Sequence, residues 1–231
     1  MTEIELGPDE FTDVDLVVPP VLGTRGDRDT LRARLSLGRP WFRRITARDA
    51  GDDAELAAFL RAQAATSRFF LLSIAANFYD GDAPFESARV AVLLEGGTPE
   101  HPPVARSLSP ERSSAPVEHT TRVSLSARLS LVSASAERET QRSSETLFVT
   151  AAGEGCPDPE WVYRASREHA LAGINRMSLI AEVAAGTSLT ARIALSAAVR
   201  RRPFGRTEYR AELPGDGLVI PVEQGASRPP P

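Results

Sequence analysis

Ser188–Arg200 reads SLTARIALSAAVR. Leu189, Ala191, Ile193, Leu195, Ala197 and Val199 share one parity, and Thr190, Arg192, Ser196 and Arg200 share the other. Successive side chains of a strand point to opposite faces, so this alternation predicts a half-buried strand. Four more stretches read as strands. Ser87–Glu95 aligns Ala88, Val90, Val92 and Leu94. Arg68–Tyr79 (RFFLLSIAANFY) is apolar on both parities and predicts a strand buried on both faces. SETLFVTAA (Ser144–Ala152) and RMSLIAEVAA (Arg176–Ala185) complete the set. Strands of twelve or more residues are about 40 Å long at about 3.3 Å per residue, which suits a tall sandwich.

Thr121 begins another alternation, with Val123, Leu125, Ala127, Leu129 and Leu131 on one side. The apolar role then passes to Val132, Ala134 and Ala136, on the opposite parity. A one-residue shift exchanges the buried face, so a bulge or sheet crossing is expected near Leu131–Val132. The pentapeptide ARLSL occurs here (Ala127–Leu131) and at Ala33–Leu37, with relatives SARVA (Ser87–Ala91) and TARIA (Thr190–Ala194). Alternation of small or aliphatic residues with Ser, Thr and Arg accounts for the recurrence. The first copy runs into GRP (Gly38–Pro40) and is not expected to form a strand. TEYRAEL and GLVIPV are expected to form a closing hairpin around PGDG (Pro214–Gly217).

One helix is expected over about 53–65, where Leu56, Phe59, Leu60 and Gln63 recur at helical spacing. Asp52 followed by Glu55 resembles a capping box. A second short helix over about 159–171 would take Asp158 as its N-cap and Pro159 as its first residue. The same residues also fit a short strand, Trp161–Tyr163–Ala165. The fold class is thus mainly β with minor α: a β-sandwich of long, largely antiparallel strands with one packed helix. Residues 1–27 read as an acidic arm with one short strand, DVDLVV. Residues 28–222 read as a single mainly-β domain, with a Pro-rich loop over 101–119, and 223–231 as a disordered tail.

The chain has 231 residues, 42% of them apolar, enough for a core, with a formal net charge of −4. That charge predicts no general attraction to nucleic acid or anionic membranes. All 27 basic residues are arginine, as a GC-rich coding sequence would favour. The acidic start MTEIELGPDE lacks the pattern of a secretory signal, and a single cysteine excludes an internal disulfide, so a cytoplasmic location is expected.

Candidate chemistry is sparse. The strongest local charge is RRRPFGRTEYR (Arg200–Arg210). Arg200, Arg201, Arg202, Arg206 and Arg210, with Tyr209, form the candidate anion- or partner-binding set. The acidic arm offers a docking partner for it. Asp80 and Asp82 in YDGDAP read as a hairpin turn rather than a cation loop. His101, His119 and His169 are isolated from one another, and Cys156 in GEGCPDPEW lacks a nucleophile signature. No metal site or cofactor is expected from these spacings. The reading that suits this pattern is a non-catalytic protein-binding or assembly module, with a protein partner or self-association expected and nucleic acid not. Two alternatives stand beside it. One is a membrane-active protein of pore-forming type using amphipathic hairpins. The other is an enzyme with a dispersed site around His119, His169 or Cys156.

Overall fold

The alternating segments fold as antiparallel strands in the two sheets of a β-sandwich, seen in a computed structural model that describes residues 3–5, 10–18, 30–116, 122–124, 148–201, 205–211 and 218–222. In chain order, β1 (Glu3–Glu5), β2 (Phe11–Asp13), β3 (Leu16–Val17), β4 (Thr30–Leu31), β5 (Leu35–Gly38) and β6 (Trp41–Ile45) lead to a 3-10 turn (Ala47–Ala50) and α1 (Ala54–Gln63). Next come β7 (Ser67–Phe78), β8 (Phe85–Gly96), β9 (Val104–Ser109), β10 (Arg112–Ser113) and β11 (Arg122–Ser124). The chain continues through β12 (Val149–Ala152), β13 (Glu160–Arg164), β14 (Gly173–Ala184), β15 (Leu189–Arg201), β16 (Gly205–Ala211) and β17 (Leu218–Val222).

The six-stranded sheet runs β2-β5-β7-β14-β9, with β6 also on β7. The nine-stranded sheet runs β10-β12-β13-β8-β15-β16-β3-β4, with β17 also on β15. A separate ribbon pairs β1 with β11. The opening stretch is β15, and its Leu189, Ala191, Ile193, Leu195, Ala197 and Val199 are all buried. They meet Phe70, Leu72, Ile74, Ala76 and Phe78 of β7 and Met177, Leu179, Ala181 and Val183 of β14 in one core. Burial of this aliphatic surface at about 25 cal/mol per Å² is the main force holding the layers together.

β7 is buried on both faces for a second reason. Its other parity, Phe69 and Leu71, packs with Ile180 and Ile45 under Leu56, Ala57 and Leu60 of α1. The Asp53 carboxylate accepts the Leu56 N–H at 2.9 Å and starts the helix, so the cap is Asp53 and not Asp52. The six-stranded sheet therefore lies between the helix and the nine-stranded sheet. Among the described residues no helix covers the outer face of the nine-stranded sheet. None is long and apolar enough to cross a membrane.

The structure corrects several expectations. The segment 159–171 forms no helix. Its Glu160–Arg164 is a strand between β12 and β8, with Trp161 and Tyr163 buried at the strand period. Val92 N–H donates to the Pro159 carbonyl at 2.9 Å, and the Trp161 indole N–H donates to the Pro110 carbonyl at 3.1 Å, so tertiary pairing overrides the local helix-start signal. The Pro-rich loop contains β9 and β10. Pro102, Pro103, Pro110 and Pro116 flank them, and the proline-free stretch pairs with β14 and puts Ala105 and Leu108 in the core.

The last three residues of the first ARLSL, Leu35, Ser36 and Leu37, do lie in a strand, β5, because Leu35 and Leu37 are drawn into the core beside Phe78 and Ala76, whereas Ala33 and Arg34 form the bend before it. β16 and β17 do not pair with each other. Both lie along one edge of β15, β16 against Ser196–Arg201 and β17 against Leu189–Ile193. Residues of the expected acidic arm enter both sheets, β2 beside β5 and β3 beside β16. The parity change at Leu131–Val132, the second ARLSL, PGDG, Arg202, His119 and the tail lie outside the described residues.

Candidate functional site, an arginine corner beside a cleft

Arg200 stands near the end of β15, where the hairpin to β16 makes Arg206 its register partner and Arg210 the partner of Ser196. Arg200 and Arg210 are exposed on the open face of the nine-stranded sheet. Arg201 is the last residue of β15 and pairs with Gly205. Tyr209 has the opposite parity to Arg210 and is fully buried in the core, so it does not join the arginines at the surface. That part of the candidate set is corrected by strand geometry alone.

Two further arginines belong to the corner. Arg164 ends β13 in register with Ser87 of β8, and Arg167 lies in the turn that follows. Both are exposed. Among the described residues, Arg164, Arg167, Arg200 and Arg210 have no carboxylate within ion-pair distance. Elsewhere on this face Arg89 pairs with Glu160, and Arg192 Nη2 lies 3.2 Å from Glu95. Arg164, Arg167 and Arg200 thus leave one corner of the face positive, with Arg210 across the sheet on β16, while Arg89 and Arg192 are neutralised.

A cleft of about 900 Å³ opens at that corner, between Pro84–Phe85–Glu86 and the turn at 165–170, with Arg200 on its wall. The turn is held by its own chain. The Ser166 hydroxyl accepts the N–H groups of Glu168 (3.2 Å) and His169 (3.0 Å), and the Ser166 N–H donates to the His169 carbonyl at 2.8 Å. Ala165 N–H donates to Glu86 O at 2.9 Å, and Arg200 N–H to Pro84 O at 3.2 Å. The cleft wall is thus tied to both β8 and β15. The His169 ring meets Phe148 edge-on at 6.3 Å, and Phe148 meets Tyr163 in the same way at 6.0 Å. His169 is an aromatic packing piece as well as a cleft residue.

The other candidate groups lie elsewhere. Cys156 is exposed in a turn beside β9, its carbonyl accepting Ala105 N–H at 3.0 Å. His101 closes a small turn with Thr98. Asp80 and Asp82 flank a loop whose hollow is filled by the Arg34 guanidinium. Arg34 Nε donates to Tyr79 O at 3.0 Å and Nη2 to Ala83 O at 2.9 Å. A Cβ added at Gly81 would sit 2.6 Å from a guanidinium nitrogen, so a fixed cation already occupies the place. Among the described residues, no three of His, Cys, Asp and Glu come together as a metal-ligand set.

A second, smaller feature lies on the open face: a depression of about 200 Å³ bordered by Arg89, Val162 and Glu208, with Ser87, Ser196 and Ala198 at its floor. Compared with known families and with characterised proteins, the chain matches no family model and no curated protein.

Proposed function

We propose that the protein is a non-catalytic cytoplasmic binding module that docks an acidic protein surface at its arginine corner. The observation that carries this reading is the contrast on one face. Arg89 and Arg192 have carboxylate partners, whereas Arg164, Arg167, Arg200 and Arg210 have none among the described residues. Unpaired charges at a helix-free sheet surface favour fast, oriented association with an opposite charge. The apolar faces of β7, β14 and β15 are committed to the sandwich core, which supports docking on the intact fold over insertion of these strands into a membrane. His169 packs against Phe148, which supports a recognition cleft over a catalytic centre there.

The test is capture from the native host with the wild-type protein and an Arg164→Glu, Arg200→Glu, Arg210→Glu variant. Light scattering of each protein alone separates a foreign partner from a second copy. The expected result is a stoichiometric partner that the variant loses. At about 0.5 M salt, where the screening length is a few ångströms, the wild type should lose it too. Equal capture by both proteins at both salt concentrations overturns the reading.

A further inference from the structure

The strand register places two rows of side chains across the open face. One reads Val162, Arg89, Ser196, Arg210 and the other Arg164, Ser87, Ala198, Glu208, on β13, β8, β15 and β16 respectively. Of the four middle positions Ser87, Ser196 and Ala198 are small, the fourth is Arg89 with its guanidinium drawn to Glu160, and the depression of about 200 Å³ lies over them. An exposed arginine stands at each end, Arg164 on β13 and Arg210 on β16. The result is a trough that crosses the strands diagonally, with small residues along its floor and at each end an arginine that has no carboxylate partner among the described residues.

The spacing selects its occupant. Three inter-strand steps of about 4.8 Å separate β13 from β16, and Arg164 and Arg210 lie one row, about 6.8 Å, apart along the strands, so they stand about 16 Å apart on the diagonal. In an extended peptide, side chains on one face recur every two residues, or about 6.8 Å, so of the spacings i+2 (about 7 Å), i+4 (about 14 Å) and i+6 (about 20 Å) the pair i and i+4 comes nearest to this span, and the long arginine side chains cover the remainder. Carboxylates at those positions would meet Arg164 and Arg210 together. Position i+2 would then sit over the depression, which has room for one side chain of leucine to phenylalanine size. The charges along the centre exclude a carboxylate there. Arg89 is already neutralised by Glu160, and Glu208 stands beside Ala198. A buried apolar anchor between two charged contacts is the usual energetic anatomy of a docking hot spot.

We infer that the trough takes an extended segment of the partner protein with acidic residues four apart and a bulky apolar residue midway. This rests on the binding reading above and names the partner's chemistry. Helical presentation requires a different motif, because at about 1.5 Å per residue two carboxylates about 16 Å apart are about eleven residues apart.

The experiment is fluorescence anisotropy with labelled synthetic peptides on the full-length protein. The reference peptide carries Glu at its second and sixth positions, Leu at its fourth and Thr elsewhere. Comparison peptides carry Gln for Glu, Glu residues two apart, or Glu residues about eleven apart on an alanine-rich helix. The reference peptide should bind tightest, and each of Arg164→Gln and Arg210→Gln should weaken it about 5-fold, the scale of one exposed charge pair. Ser196→Phe, which fills the floor, should abolish binding, and Arg61→Gln on the helix should leave it unchanged. Indifference to Glu spacing, tighter binding of the helical peptide, or binding that survives Ser196→Phe in a protein with unchanged circular dichroism overturns the inference. If the charge-reversed triple variant still loses its native partner while the peptides fail, the trough falls and the binding reading stands. If the triple variant keeps its partner, the binding reading falls.

Discussion

Replacing Arg34 by alanine should destabilise the fold by about 2–3 kcal/mol, although the residue lies in a loop and its charge has no acidic partner in the contacts that position it. The magnitude follows from three contacts. Arg34 donates to the carbonyls of Tyr79 and Ala83 at 3.0 and 2.9 Å, bridging the connection from β7 to β8. Hydrogen bonds from a charged donor contribute about 1.5–3 kcal/mol each when desolvated. The connection is exposed at Asp80–Asp82, so water would replace part of what is lost, and about 1 kcal/mol each is the better figure. The guanidinium also lies 5.0 Å from the centre of the buried Phe85 ring, a cation–π contact of about 0.5–1 kcal/mol. For a domain of this size the expected fall in Tm is about 5–10 °C. Urea unfolding is the assay, read as a lower midpoint at unchanged slope. Arg34→Lys should recover only part of the loss, because a single ammonium cannot hold two carbonyls in the fork geometry. A loss below about 0.5 kcal/mol, or full rescue by lysine, would refute the staple.

Gly96→Ala should be among the most damaging single changes, because φ is +120° there and a Cβ would sit 2.1 Å from the Ser188 carbonyl oxygen. Gly155→Ala has a positive φ but open space and should cost only about 1–2 kcal/mol, so paired melts in which both lose the same would remove the steric argument. Tyr163→Phe should be neutral or stabilising at pH 7, since the buried Tyr163 hydroxyl has no hydrogen-bond partner among the described residues. Burial pushes this phenol above its ordinary range, so the unfolded chain releases the proton near pH 10 while the folded chain keeps it. Stability of the wild type therefore falls as pH rises past 10, and the Phe variant should lose that part of the decline; parallel urea midpoints at pH 7 and above 10 that stay parallel would contradict it.

Much of the fold was legible because the period of a strand does not depend on its neighbours. β7, β8, β14 and β15 lie within about three residues of where alternation put them, and α1 sits where apolar spacing placed it. What failed depended on contacts distant in sequence. Asp158-Pro159 carries the local chemistry of a helix start, yet pairing with β8 decides that segment. β9 was hidden because flanking prolines dominate its composition, although the prolines only bound the pairing stretch. The site divides in the same way. Arg200 and Arg210 stood out as a run of charge, and the parity of TEYRAEL already held the signal that Tyr209 turns inward. Arg164 and Arg167 carry no local mark. They reach the corner only because β13 lies next to β8, which lies next to β15.

The recurrence of SARVA and TARIA acquires a physical meaning from the same register. β8 and β15 run antiparallel, and Ala91 faces Ala194 across the pair. Arg89 and Arg192 each stand two residues before that pair on their own strands, so the two pentapeptides are the same pattern laid head to tail. In both, the alternate residues Ala88 and Val90, Ala191 and Ile193, are buried, while the arginine lies toward the open face. The arginines find different anions: Arg89 meets Glu160 from β13, and Arg192 meets Glu95 from β8. What the pentapeptides share is a strand's parity, and what separates them is the neighbour each strand received. Among the described residues Arg164, Arg167, Arg200 and Arg210 have no carboxylate within ion-pair distance, and Arg164 stands in register with Ser87, the first residue of one of these pentapeptides. The recognition proposed above therefore uses this pentapeptide as floor, through Ser87, and leaves its Arg89 to the intramolecular pair with Glu160.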